Sequence, residues 1–490
     1  MNNVNDKGLA YLFIDDVIVE SLDGAAKGVA PAQRVSDEPV MMQDQPWEKE
    51  WEISSYVNVI HDEAEDIFKM WYEPGQKLSS TRGEMQHGLA YAVSKDGLHW
   101  EKPVLNLVED NGSKANNLVF PMFRWAAGHG VMKDPIEADP ARRYKMLFML
   151  QCDHMSLAGI TQPVCVAYSP DGIHWNVPQY WLNPVIPKGT DTHITAHWDA
   201  KIHKYVVYLR GTPNVRIICQ SESDDFENWT PRKIIIQPDE QDPPQDHEFY
   251  GMTSMAYRNW RIGFLSVFHT LYEGWIAQNR IEEWMPEWMN QMDIQLAYSK
   301  DGRTWHRAGN RQPILTCGPR GRFDSGSVYP PHAPFLLGDE IWLYYGGGNT
   351  LHGEPPRYGE EPRRSIGLAK IRKDRLVCLK AEKKGLATTI PLGINPAAMW
   401  INADATGGSL QVELVDPFDH VLPGFGKDDC VPFTGDETEH QIQWKSVSQT
   451  HVGAALVGLE GKMVSQVTGG CKVKVYLDKA KLFAIYSDVG

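Results

Sequence analysis

Four carboxylates, Asp134, Asp191, Glu248 and Asp324, stand at corresponding points of a repeated chain pattern, each close to a short apolar run. If those runs are strands gathered round one axis, the four side chains converge into an acidic pocket. Carboxyl groups held in such a pocket suit general acid–base work. Histidines recur beside them: His87, His129, His193, His247, His269 and His332. Taken singly, each reads as a hydrogen-bonded core residue. Together with the acids they could hold one cation, oxygen ligands suiting calcium or magnesium and several imidazoles a transition metal. No HExxH, CxxC pair or EF-hand loop supports a dedicated metal site, and no P-loop or GxGxxG follows a strand.

The elements that must position these residues are written in a repeat. Ser94-Lys95-Asp96-Gly97-Leu98-His99-Trp100 returns as Ser169-Pro170-Asp171-Gly172-Ile173-His174-Trp175 and as Ser299-Lys300-Asp301-Gly302-Arg303-Thr304-Trp305. A weaker copy, Ser223-Asp224-Asp225-Phe226-Glu227-Asn228-Trp229, lacks the glycine. Asp-Gly after an apolar strand is hairpin-turn chemistry, since Gly accepts positive φ and Asp caps the turn. The Trp-to-Trp spacings of 75, 54 and 76 residues are too long for a solenoid and suit four-stranded propeller blades. Five further apolar segments, 68–72, 144–150, 205–210, 261–267 and 341–345, fit the central position of one blade each. Five is therefore the expected blade number, with four and six as its neighbours.

From about residue 385 the phrase disappears. Short alternating strands such as 410–415, 454–459, 472–477 and 482–486 predict a C-terminal β-sandwich. The expected class is all-β, with a five-bladed β-propeller over 1–384 and the sandwich over 385–490. The one helical pattern, 273–292, carries Trp284 and Trp288 four apart and is interrupted by Pro286. It reads as a core or subunit-contact helix, through which a homo-oligomer could form, or as a lid bearing aromatics.

A net charge of -15 disfavours a nucleic-acid or anionic-membrane partner. No apolar run approaches the length of a membrane span. The polar start, Met1 to Lys7, does not look like a signal peptide, and the seven cysteines are scattered, so a cytoplasmic location with reduced thiols is expected.

A five-bladed propeller with Ser-x-Asp-Gly-x-x-Trp corners and a C-terminal sandwich resembles glycoside hydrolase family 32 and its relatives in families 43, 68 and 117. The likeness is nearest to uncharacterised family-32-like proteins. It rests on Leu12 to Asp16 (Leu-Phe-Ile-Asp-Asp), Asn116-Asn117, Lys133-Asp134-Pro135, Asn402-Ala403-Asp404 and Leu482 to Tyr486. The resemblance implies a glycosidase, retaining in family 32 and inverting in family 43. One carboxyl protonates the leaving oxygen and a second attacks or activates water.

Carried over position by position, Asp134 matches the Asp of the family's Arg-Asp-Pro triplet, a transition-state stabiliser, with Lys133 in place of Arg. The family's nucleophile motif is absent from blade one. Glu52 stands nearest its place, Glu48 is its rival, and Asp15 or Asp16 closes the propeller or reaches the pocket. The Glu-Cys acid/base motif is also absent, and Asp191 or His193 occupies its position. Glu248 heads its strand and is favoured as the general acid. Asp324 or Tyr329 would bind hydroxyls, with His193 and His332 beside them, and Trp51, Trp125 and Trp198 would offer stacking faces. The expected activity is removal of a terminal, furanosidic sugar. No cofactor is required, though one calcium or other divalent cation could sit on the axis, as in some family 43 members. The alternatives are an inactive carbohydrate-binding propeller, or a transglycosylase or lyase using the same pocket.

Overall fold

The computed structural model describes residues 8–77, 85–124, 126–150, 160, 162–178, 184–189, 193–212, 215–243, 248–270, 289–352, 361–445 and 470–488. Its strands form six sheets, five of them antiparallel blades met in chain order. The first blade runs Glu52–Asp62, Ile67–Lys77, Met85–Ser94 and Leu118–Arg124, and the second Ala126–Lys133, Tyr144–Leu150 and Val164–Ser169. The third runs Thr195–Asp199, Lys204–Gly211, Ile217–Ser223 and Lys233–Ile236. The fourth is built on Glu248–Tyr257, Trp260–His269 and Gln291–Ser299. The fifth joins Ser327–Tyr329, Glu340–Gly348 and Arg364–Arg372 to Gln33–Arg34, so a strand from the start of the chain completes the last blade. The five apolar segments picked out from sequence are the second strands of these blades.

Bonds between innermost strands close the ring. Asn58 Nδ2 donates to the His129 carbonyl, Thr195 Oγ1 to the Met252 carbonyl and Thr253 Oγ1 to the His332 carbonyl. The His332 N–H then returns to Val57 on the first blade. Between the second and third blades the backbones touch: a Cβ at Gly130 would lie 2.1 Å from the Ile194 carbonyl oxygen, which only glycine permits. Apolar residues from neighbouring blades pack as separate cores in the wedges between them.

The repeated phrase forms the corner after the third strand in four blades. In the second, Asp171 Oδ1 accepts from the Ile173 and His174 N–H groups at 2.8 Å, and Ser169 Oγ accepts from the Gly172 N–H. The same set recurs around Asp96, Asp225 and Asp301. The copy without glycine keeps the turn: Phe226 adopts φ 69° and is fully buried against Tyr205 and Trp229. That packing compensates for a backbone conformation a side chain normally avoids.

The C-terminal strands Val377–Thr389, Met399–Asp404, Ser409–Val415, Asp436–Gln441 and Lys472–Ser487 belong to one eight-stranded hydrogen-bonded sheet. Its remaining strands, Leu9–Leu12, Val19–Asp23 and Ala26–Val29, come from the beginning of the chain, and Val377–Thr389 runs across residue 385. Asp374 ties this sheet to the propeller, accepting from Tyr257, Arg258 and Tyr486 at 2.6–2.8 Å. The segment 454–459 and most of the expected helix, up to residue 288, lie outside the described residues; Met292 stands in a strand. No helix among the described residues is long and apolar enough to cross a membrane.

Candidate active site

In an antiparallel meander the innermost strand starts, and the second strand ends, at the same face of the propeller. On this face the first blade places Glu52, Gly75 and His87 side by side across three strands. Two residues before Gly75, Glu73 is buried, its Oε2 2.7 Å from His129 Nδ1 and its Oε1 3.4 Å from His87 Nδ1. Burial opposes ionisation of Glu73, but the two imidazoles outweigh it and hold its carboxyl below the usual range. The carboxylate fixes the His129 ring, which is stacked on Phe148 at 5.6 Å. Burial lowers the pKa of His87 most, and Glu73 and Glu52 act against it. In the fourth blade Glu248 is the first residue of its strand, and its Oε2 accepts from the Arg216 N–H at 3.0 Å and from Arg216 Nη1 at 2.9 Å. On the same blade Asp293 pairs with His269 at 2.9 Å.

Nearer the axis, Tyr56, Tyr329, His193 and His332 are buried together. The Tyr56 ring lies 5.5 Å from His193, 5.7 Å from His332 and 6.2 Å from Tyr329. Tyr250 joins them 5.8 Å from Tyr329, whose hydroxyl is 3.1 Å from His352 Nδ1. Of the residues expected at the site, the structure thus brings Glu52, Glu248, His193, Tyr329 and His332 to this side.

Others are placed elsewhere. Asp134 lies five residues beyond His129, past the far end of the strand, where its carboxylate takes Lys145 at 3.0 Å and the Tyr205 hydroxyl at 2.5 Å. Lys133 of the same triplet pairs with Asp62 at 2.8 Å. Asp324 is fully buried and bound to Arg34 and Tyr345, which fastens the strand that completes the fifth blade. Glu48 is buried under the Tyr72 hydroxyl and Lys102. Trp51 is 2% exposed, a core residue whose indole N–H reaches Asp110, so it offers no face to a ligand. Trp198 packs edge-on to Tyr205 beside Asp199, at the far end of its strand. Lys27 and Lys300 pair with Asp16 and Asp15. Asp191, His247 and the Trp125 side chain lie outside the described residues.

The expected ring of acids is therefore not what lines the described axis. Tyrosine, histidine and the Asn58 amide do so instead, because Asp134 and Asp324 are drawn off by cations on neighbouring strands. This lining does not fit a calcium ion, which takes carboxylate and carbonyl oxygens. Asn58 Oδ1 already accepts from Val131 N and faces His332 Nδ1 at 3.0 Å. Among the described residues no group of three or more His, Cys, Asp or Glu is placed to hold a metal.

The buried imidazoles carry a pH prediction. Burial pushes His193, 2% exposed, down to about 4. A histidine whose folded pKa is depressed contributes stability that is complete above its unfolded value, near 6.5, and lost as pH falls toward the folded one. Denaturation midpoints should therefore drop between pH 6.5 and about 4, by an amount equivalent to about 2–3 kcal/mol for each fully neutral, buried ring. His193→Gln should flatten that limb. An unchanged slope in the variant would remove His193 from the account.

Sequence reasoning missed Glu73, Arg210 and His352. A usable signal existed for the first two. Each follows the apolar run of a second strand with a charged residue, Trp71-Tyr72-Glu73 and Tyr208-Leu209-Arg210, and His269 ends the second strand of blade four in the same way.

No family model matches the chain, and no curated protein is detectably similar to it in sequence. Several solved structures align with it at low similarity. An N-acetylgalactosamine deacetylase from F. plautii, in complex with blood group B trisaccharide, is 13% identical with a TM-score of 0.46, covering 72% of this chain and 95% of that one. A β-1,2-mannobiose phosphorylase from Listeria innocua is 11% identical at 0.46, covering 69% and 96%. A family 43 arabinoxylan arabinofuranohydrolase from Bacillus subtilis is 10% identical at 0.39, covering 92% and 99%.

Proposed function

We propose that the chain is a carbohydrate-active enzyme of the glycosidase type, working at the face of the propeller that carries Glu52 and Glu248. The observation that supports this most is the place of these two carboxylates at the same face. They come from blades one and four, each stands at the first residue of an innermost strand, and the buried Tyr56, Tyr250 and Tyr329 lie on the same side. Glu248 serves as the acid that protonates the leaving oxygen, and Glu52 as nucleophile or base. Glu73, enclosed behind His87 and His129, is a positioning residue that fixes their rings. The sugar released is proposed to be terminal and furanosidic. The expected division into 1–384 and 385–490 is replaced by a propeller proposed to span about 33–372, because strands from 9–29 and 377–389 join the C-terminal sheet.

The test is a screen of aryl-glycosides and natural oligosaccharides with mass analysis of the products. A released monosaccharide supports hydrolysis, transfer to an acceptor or an unsaturated product supports transglycosylation or a lyase, and no turnover overturns the enzymatic reading. A carboxyl separation of about 5–5.5 Å would accompany retention and about 6.5–9.5 Å inversion. One observation favours a second reading, a propeller that binds sugar without cleaving it: the acids Asp134 and Asp324 are both taken up by cations, Lys145 and Arg34. Sugar binding without product in the same screen would select it.

A further inference from the structure

Three guanidinium groups gather on the face that holds Glu248. Arg210, at the end of the second strand of blade three, is 5% exposed and lies 4.5 Å above the Tyr250 ring. Arg216, just before the next strand, stands 6.0 Å from the same ring and 5.5 Å from that of Phe268. Arg364 heads the third strand of blade five, opposite Gly348, and is half-buried. Arg216 is paired with Glu248, whereas Arg364 makes no ion pair or side-chain hydrogen bond with a described residue. The His352 ring, 4.8 Å from Tyr250, lies within the field of all three. Burial first, and then Arg216, Arg210 and Arg364, push it down to about 3, so it is neutral and adds no charge of its own.

Arg364, half-buried and without a carboxylate partner among the described residues, keeps its guanidinium open to an arriving anion. The planar fork of arginine matches carboxylate, sulfate and phosphate oxygens in pairs. Tyr250, itself buried, holds the Arg210 and Arg216 guanidinium groups beside its ring. We infer that Arg364, with Arg210 and Arg216, forms an oxyanion station beside Glu248, and that the ligand of this site is a sugar carrying an acidic group. The inference rests on the carbohydrate reading above and deepens it by naming the substrate class. Free phosphate presents the same oxygens, so the test separates the two sources.

The experiment is calorimetric titration of the full chain with galacturonate and glucuronate, with their neutral counterparts galactose and glucose, and with inorganic phosphate. Each is run on the wild type, Arg364→Gln and Arg364→Lys. The acidic sugars should bind about tenfold or more tighter than the neutral ones, an advantage that weakens with added salt. Arg364→Gln should remove the advantage and leave neutral-sugar affinity unchanged, and Arg364→Lys should keep part of it because the charge remains but the fork is lost. Phosphate that binds, competes with the uronates and is lost in Arg364→Gln would support the station with a free anion as its source. Acidic and neutral sugars bound alike, with no phosphate bound, would overturn the station and leave the carbohydrate reading intact. Phosphate bound with no sugar bound would do the reverse. Binding of neither would overturn both.

Discussion

Glu248→Gln should lower kcat by about 10²- to 10⁴-fold on any glycoside the chain turns over, with KM changed only a few-fold. The substitution keeps the shape of the side chain, and its amide oxygen can still accept from the Arg216 backbone N–H that Glu248 Oε2 now takes at 3.0 Å. What is lost is the ionisable proton. The fold should tolerate the change, because Glu248 heads its strand and its one ion pair, with Arg216, has both side chains at least 10% exposed. Initial rates on the released chromophore, with thermal melts of both proteins, check the two halves together. Activity within tenfold of the wild type would move the proton donor away from Glu248. Asp134→Asn is the informative contrast. From its contacts with Lys145 and Tyr205, it should lower stability while leaving the rate of each folded molecule near the wild-type value.

That contrast marks where the sequence could and could not be read. The corners were legible because their bonds are local: Ser169, Asp171 and Gly172 satisfy one another within three residues, and the phrase repeats. The second strands were legible as apolar runs between those corners. Glu248 was legible because a carboxylate at a strand head is visible without knowing its partners. The resemblance of Lys133-Asp134-Pro135 to a catalytic triplet was convincing on the same local grounds. Its use is decided by Asp62, 71 residues earlier, and Tyr205, 71 residues later. Asp324 is likewise decided by Arg34, 290 residues away. The first 30 residues gave no hint that three of their strands pair with the far end of the chain, since strand pairing across hundreds of residues leaves no local pattern. Charge at a strand head was thus a sound guide to position and a poor guide to role, because partners distant in sequence set whether a carboxylate is free to react.

The face of the propeller opposite Glu248 carries the largest stability prediction. At the turn after the innermost strand, Asp62, Asp134 and Asp199 each accept from the backbone N–H two residues on and then reach the following blade. Asp62 accepts from Tyr144 at 3.0 Å and Lys133 at 2.8 Å, Asp134 from Tyr205, and Asp199 from Arg261 twice at 2.8 Å. Asp62 also holds Lys69 of its own blade at 3.0 Å. Burial opposes its ionisation, but Lys133, Lys69 and Tyr144 outweigh it and hold the carboxyl well below the usual range. Asp62→Ala would leave Lys69, 5% exposed, with Glu65 at 2.6 Å as its remaining carboxylate, and would take from Lys133 the carboxylate it holds at 2.8 Å. The expected cost is about 3–5 kcal/mol, the range for removing one partner of a buried pair. Tyr144→Phe should cost about 1 kcal/mol, and the double variant less than the sum, because both act through one carboxylate. A group with a depressed folded pKa contributes stability that is complete above its unfolded value, near 4, and lost as pH falls toward the folded one. The variant should therefore lose most at neutral pH and approach the wild type in acid. Urea midpoints at pH 7 and at the lowest pH where the wild type stays folded measure both effects. A loss below about 1 kcal/mol at neutral pH would place the pair among surface ion pairs and remove the turn carboxylates as interblade fasteners.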